Sequence, residues 1–167
     1  NADLASSLGI PDSNILLKQN GDIVEINNGV LQDNFKNIKI NDVPLQVEEG
    51  LTVLQACRQL NIDIPTLCYV PMHLANEKNN NASCRVCVVE IKGRRNLAPS
   101  CSTLCTEGME VYTNSQRVIM ARRTVIELML SDHPQDCPTC DKNMHCKLQS
   151  IAYRMGITDL PYKGEMS

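Results

Sequence analysis

The sequence predicts an α+β fold: a small mixed sheet carrying one packed helix, followed by a helical segment. Three observations carry this. Residues 38–47 alternate apolar and polar side chains around a turn pair, the period of two expected of a hairpin with one buried face. After Thr52, residues Val53, Ala56, Cys57 and Leu60 fall on one side at helical spacing. From Ser115 to about Ser131 a longer apolar pattern keeps the 3.6-residue period.

A chain of 167 residues has room for one ordinary domain, or for a small domain with appendages. Hydrophobic residues make up 43%, yet there is no Trp and a single Phe, so the core must be aliphatic and modest. Small cores are often supplemented by a metal centre, because ligation adds folding free energy directly. Nine cysteines, an odd number, argue against a simple disulfide framework. With no visible signal peptide, they point to a reduced intracellular compartment in which thiolates serve as ligands. There is no apolar run long enough to span a bilayer. The net charge of −3 gives no nucleic-acid footprint. It resides in residues 1–36, which hold five acidic residues and two lysines.

Taken in order, the chain begins at Asn1, which fits a processed product or a fragment. Residues 1–36 carry short apolar runs such as Ile15-Leu16-Leu17 and Ile23-Val24, and read as an appendage or the end of a preceding domain. Residues 37–114 form the first folded unit. Ile38 and Ile40 alternate with Lys39, Asn41-Asp42 turns the chain, and Val43, Leu45 and Val47 alternate again. Thr52 caps the first helix, Asn61 ends it, and Pro65 forces extended backbone that delivers Cys68 into a loop. Residues 72–83 read as an exposed loop. Val88 to Ile91, Leu97 to Cys101 and Met109 to Tyr112 read as strands. Residues 115–160 form the helical segment: a long helix packed through Val118, Ala121, Val125, Leu128 and Met129, with Arg117, Arg122 and Arg123 outside the period. His133-Pro134 stops it. A cysteine-bearing loop leads to a short helix from about Cys146 to Arg154, capped by Gly156, and residues 161–167 are a tail.

Two sets of ligand-type residues lie on this frame. Cys68, Cys84, Cys87 and Cys101 are spaced C-x15-C-x2-C-x13-C. A 2Fe–2S cluster needs four thiolates, and a Cys-x2-Cys pair with two lone cysteines on neighbouring loops can supply them. Structural zinc sites of four cysteines usually take two such knuckles, and here there is one, so the spacing favours iron–sulfur without excluding zinc. Downstream, His133, Cys137, Cys140 and Cys146 give H-x3-C-x2-C-x5-C. On spacing alone, zinc and an iron–sulfur cluster fit this second set equally. Cys57 reads as core. Cys105, four residues after Cys101, is a spare thiol and a minor candidate as alternative ligand. His145 reads as exposed, and His73 sits in the exposed loop with little claim to be a ligand. Arg85, Arg94 and Arg95 form a cationic group near the first site, more simply a solvated face than a charge shield or docking patch.

The run Pro65-Thr66-Leu67-Cys68-Tyr69, then Cys84-Arg85-Val86-Cys87-Val88-Val89-Glu90, then Cys101, resembles the N-terminal ferredoxin-like domain of two related groups. One is the large iron–sulfur (75 kDa) subunit of respiratory complex I. The other is the modular FeFe-hydrogenases, especially the NADP-reducing and electron-bifurcating type. The long loop before Cys84 and the run from Gly93 to Cys101 are closer to the hydrogenase group. The resemblance implies a β-grasp 2Fe–2S ferredoxin-like domain that departs from the plant-type C-x4-C-x2-C spacing. It also implies that His133, Cys137, Cys140 and Cys146, followed by Lys147-Leu148-Gln149, hold a 4Fe–4S cluster with the histidine as a ligand.

The resemblance covers about residues 37–160. Members continue with two further 4Fe–4S sites of C-x2-C-x2-C-x3-C-P type and then a catalytic or structural domain, and nothing of that kind precedes Ser167. There is also no P-loop, GxGxxG or nucleophile–base set. The expectation is an electron relay without bond chemistry of its own, part of an NAD(P)-linked hydrogenase-type complex. The equivalent part of complex I or of an NAD-linked formate dehydrogenase is the alternative. A zinc-stapled interaction module is the reading from a different class. Expected partners are other redox subunits, a flavin/NAD(P)-binding subunit and a hydrogenase or dehydrogenase catalytic unit among them. The expected location is the cytoplasm, or the matrix of a mitochondrion-related organelle.

Overall fold

Asn41 and Asp42 both adopt positive φ, 49° and 66°. That left-handed pair makes the two-residue turn whose twist matches the strands on either side, and Asn and Asp tolerate it better than other side chains. It joins strands Phe35–Ile40 and Val43–Glu48, paired antiparallel with Ile40 opposite Val43. Ile38, Ile40 and Val47 are buried, while Val43 at the turn is exposed. In the computed structural model, residues 34–69, 81–162 and 164 are described in full. Of the preceding residues, only the backbone of 14–19, 22–27 and 30–31 is described.

That N-terminal backbone forms β1 (Asn14–Gln19), β2 (Asp22–Asn27) and β3 (Val30–Leu31), an antiparallel sheet in the order β1-β2-β3. The sequence reading treats these runs as an appendage and assigns no strands to them. Gln19 pairs with Asp22, so two residues link the first two strands, and their identity, Asn-Gly, is the strongest short hairpin signal a sequence offers.

The hairpin strands become β4 and β5. Helix α1 (Val53–Gln59) follows, with Thr52 as N-cap. The Thr52 hydroxyl accepts from the Gln55 N–H at 3.3 Å, and the Gln55 side-chain oxygen accepts from the Thr52 N–H at 2.9 Å, a complete capping box. Val53, Leu54, Ala56 and Cys57 turn into the core, and Asn61, with φ 56°, ends the helix region as the sequence predicts. Then come β6 (Val88–Ile91), β7 (Ala98–Pro99) and β8 (Glu110–Tyr112). The sheet order is β5-β4-β8-β6-β7; β8 runs parallel to β4 and antiparallel to β6. A hairpin, a helix laid across it and a last strand returning parallel to the first make the expected β-grasp arrangement. Strand β7 is shorter than the predicted Leu97–Cys101 run. The Ser100 N–H still donates across to the Cys87 carbonyl at 3.1 Å, but the Ser102 and Thr103 N–H groups fold back onto the Pro99 carbonyl at 3.3 and 3.1 Å, so the chain turns instead of extending.

Helix α2 (Gln116–Ser131) starts at Ser115, whose hydroxyl accepts from the Val118 N–H at 3.4 Å. Its length matches the sequence expectation, but its packed face is rotated. Val118, Arg122 and Ile126 are buried at i, i+4 spacing, whereas Leu128 is 49% exposed. Apolar periodicity places Arg122 outside the packed stripe. It is buried nonetheless, and its guanidinium finds the Val88 carbonyl. Helix α3 (Lys147–Arg154) closes the chain, with Gly156 at φ 62°. The Gly156 N–H bonds to the Tyr153 carbonyl and the Ile157 N–H to the Ala152 carbonyl, a Schellman end that requires the left-handed glycine.

Two cores result. One fills the space between the five-stranded sheet and α1. The other gathers Ile126 of α2 with Ile151 and Ala152 of α3 around Val86, which comes from the loop before β6.

Candidate iron–sulfur sites

The first site is built where loops converge at the end of the sheet. Past Pro65 the chain runs without regular structure to Cys68. Cys84 and Cys87 flank a tight turn in which Arg85 takes φ 58°. A non-glycine residue there costs about 1 kcal/mol or more, which the surrounding bonds must hold in place. The Cys101 loop is anchored by α1. The N-terminal N–H groups of that helix have no partners inside it. Val53 donates to the Thr103 carbonyl at 2.9 Å and Leu54 to the Ser100 carbonyl at 3.0 Å. The buried Ser100 hydroxyl in turn donates to the Cys87 carbonyl at 2.7 Å, tying the Cys87 and Cys101 loops together.

The thiols fall into two neighbouring pairs. The Cys84 N–H donates to Cys68 Sγ at 3.5 Å. Burial pushes the Cys84 thiol up, but backbone N–H groups of Val86, Cys68 and Leu67 and the Cys68 side chain outweigh it, and the net shift is down. Cys101 is pushed up to about 12, first by burial, then by a hydrogen bond and charge from Cys87, with Cys68 adding to it. Among the described residues, no three such side chains converge on a point that one ion could occupy. Two pairs of thiols are a donor set for a binuclear cluster, which takes two thiolates on each iron, and N–H groups aimed at the sulfurs stabilise their charged form.

Cys57 and Cys105 are buried in the core of the β-grasp unit, the core to which Cys87 and Cys101 also belong. Burial, followed by the Cys105 thiol, raises Cys57 to about 11 against an opposing pull from Arg122; burial raises Cys105 as well. Both are core thiols, as expected for Cys57. Arg85, Arg94 and Arg95 are all exposed. His73 and most of the predicted loop at 72–83 lie outside the described residues.

The second site follows the end of α2. Gln135 Nε2 donates to the Leu130 carbonyl at 2.7 Å and to the His133 carbonyl at 3.1 Å, capping the helix and holding the turn that carries His133. His133 Nδ1 lies 2.9 Å from the Pro134 carbonyl. A carbonyl only accepts, so Nδ1 carries the proton there and the Nε2 lone pair is left unprotonated, the form in which an imidazole ligates a metal. A single 3-10 turn, Cys137–Thr139, presents Cys137 and Cys140, and Cys146 is the N-cap of α3, its sulfur accepting from the Gln149 N–H at 3.5 Å. Gln149 also ties the loop down: its side-chain oxygen accepts from the Met144 N–H at 3.1 Å and its amide donates to Asn143 at 3.0 Å. All four candidate ligands line one pocket of about 230 Å³. Three thiols and one imidazole around one pocket are a donor set for a cubane bound at its corners. His145 is exposed, as expected.

Sequence reasoning missed two residues at these sites. Val86, inside the Cys-x2-Cys turn, is fully buried in the second core and so joins the two sites. Arg122 reaches the first site from α2. The only signal for it in the sequence is its place midway between Val118 and Ile126 on an i, i+4 row.

Two family models match the chain. Residues 37–116 match the 2Fe-2S iron-sulfur cluster binding domain, and residues 122–161 match the NADH-ubiquinone oxidoreductase-G iron-sulfur binding region. The two matches lie one after the other along the chain. Their domains bind a 2Fe–2S and a 4Fe–4S cluster. This paired iron–sulfur chain is 56% identical over 131 residues to the NADP-reducing hydrogenase subunit HndD of Solidesulfovibrio fructosivorans, covering 78% of itself and 22% of that protein. It is 36% identical over 121 residues to the NADH-ubiquinone oxidoreductase 75 kDa subunit of Reclinomonas americana, covering 72% of itself and 17% of that protein. Among solved structures it is similar to an NAD+-reducing NiFe hydrogenase in the H2-reduced state, with a TM-score of 0.69 at 30% identity, covering 79% of this chain and 53% of that one. The chain thus spans less than a quarter of the length of these two curated relatives. Among the described residues, no helix is long and apolar enough to cross a membrane.

Proposed function

We propose that this chain relays electrons within an NAD(P)-linked hydrogenase-type complex. In this reading Cys68, Cys84, Cys87 and Cys101 hold the 2Fe–2S cluster, and His133, Cys137, Cys140 and Cys146 hold the 4Fe–4S cluster. The division runs from a ferredoxin-like unit at 37–114 to a cluster-binding helical segment at 115–160. The observation that carries it is the grouping of eight donor side chains into two sets of four, on units that share a core through Val86.

The clusters supply one-electron transfer; the protein supplies ligands, burial and hydrogen bonds that set their potentials. The N–H groups around Cys84 and Cys68 favour thiolate over thiol, and the His133–Pro134 bond orients the imidazole. The partners that fit are a flavin subunit with an NAD(P) site and a hydrogenase catalytic unit, in the cytoplasm. HndD, at 56% identity, favours the NADP-reducing hydrogenase setting. The equivalent part of complex I is the second reading, favoured by the 36% identity to a 75 kDa subunit of NADH-ubiquinone oxidoreductase. The similar solved structure is a NiFe hydrogenase, so likeness in this region does not select the catalytic metal.

Iron and acid-labile sulfide analysis with EPR of the reduced protein tests the relay. One binuclear and one tetranuclear signal are expected. Zinc in both sites with no EPR signal would overturn it in favour of an interaction module.

A further inference from the structure

Arg122 is 6% exposed, and its guanidinium is held by one acceptor, the Val88 carbonyl, at 3.0 Å from Nε and 2.7 Å from Nη2. Among the described residues it has no carboxylate partner; the ion pairs there join Lys36–Glu49, Lys92–Glu110, Arg117–Glu90, Arg123–Glu127 and Arg154–Asp63. A guanidinium stays charged in proteins, and a buried cation without an anion is strongly disfavoured. The groups that act on it electrostatically are thiols: Cys87, immediately before Val88, and Cys57. Cys57 is held neutral by burial. The anion that remains to balance Arg122 is the cysteine-ligated site at Cys87.

We propose that Arg122 is the built-in counter-charge of the first cluster site, its buried guanidinium locked onto the carbonyl that follows Cys87 and raising the midpoint potential of the 2Fe–2S cluster. This rests on the ligand assignment made above. Reduction adds one negative charge at the site, so a fixed positive charge beside it stabilises the reduced form more than the oxidised one. The low dielectric of the interior strengthens the effect, and burial protects it from salt. The exposed Arg85, Arg94 and Arg95 lack both advantages. Because Arg122 belongs to α2, the helix that leads into the second site, the segment carrying one ligand set tunes the other.

The test is a redox titration of the whole protein, following the binuclear EPR signal in wild type, Arg122→Met and Arg122→Lys, with Cys87→Ser as a control on the ligand assignment. Arg122→Met keeps the stem and removes the charge. At fixed ambient potential its oxidised-to-reduced ratio should rise about tenfold, a downward shift of about 59 mV for a one-electron couple. The shift should persist at high salt, and the tetranuclear signal should hold its potential. Arg122→Lys keeps the charge and loses the fork, and should titrate close to wild type. Arg122→Met that loads fully and titrates at the wild-type potential overturns the proposal. Should Arg122→Met fail to load, Arg122→Lys decides: loading at the wild-type potential supports the charge, and failure like that of Met shows a strut instead. An unaltered binuclear signal in Cys87→Ser removes the ligand assignment itself, whatever Arg122 does.

Discussion

Val86, between Cys84 and Cys87, shares a core with Ile126 of α2, and neither side chain is exposed to solvent. The turn that presents two ligands of the first site is therefore also the plug around which the second segment folds. Leu67 and Cys84, from the same end of the β-grasp unit, pack against this core with Val125, Met129 and Leu148. The two candidate sites are mechanically joined by apolar contact.

Val86→Ala should destabilise the protein by about 2 kcal/mol, from two lost methyl groups and the cavity they leave. Val86→Asp should do more, because a carboxylate without a partner would be buried. Denaturant unfolding of the cluster-loaded protein measures the first. Limited proteolysis reads the second, as faster cleavage in the loop between α2 and α3. Unchanged stability in Val86→Ala would show that the shared core is not carrying the junction.

Cys101 and Cys105 lie four residues apart and both are buried, but their surroundings differ. Both belong to the β-grasp core, but Cys101 neighbours Cys87 and Cys68, whereas Cys105 has its backbone N–H on the Leu51 carbonyl at 2.9 Å. Cys101→Ala should abolish or severely weaken the binuclear absorbance and EPR signal. Cys105→Ala should leave both intact and cost about 1 kcal/mol of stability as a small cavity. The reverse pattern would transfer the proposed fourth ligand position to Cys105.

His133 is the one neutral donor in the second proposed set. Replacing it by a thiolate makes the cluster more negative, so His133→Cys should lower the tetranuclear midpoint potential, on the order of 100 mV by comparison with histidine-for-cysteine exchange in binuclear centres. His133→Ala should instead reduce tetranuclear iron content. A redox titration of the tetranuclear EPR signal distinguishes these. An unshifted potential in a fully loaded His133→Cys protein would remove His133 from the ligand set.

The local devices were legible in the sequence because their partners lie within a few residues. The Asn41-Asp42 turn, the Thr52 and Ser115 caps and the Gly156 helix end each close over one to six positions, and residue type alone selects them. The two proposed ligand sets were singled out in the same way, by spacing and residue type. The Asn-Gly link between β1 and β2 was equally local and went unread. What tertiary structure alone decided is longer in range. Apolar periodicity favoured Ala121 over Arg122 for the packed face, because a hydrophobic pattern weighs a cation by its charge and not by its stem. The acceptor that lets Arg122 turn inward, the Val88 carbonyl, is 34 residues away. Val86 reads from sequence as one strand-forming residue among several; only the packing of α2 and α3 over the first site makes it the residue that joins the two.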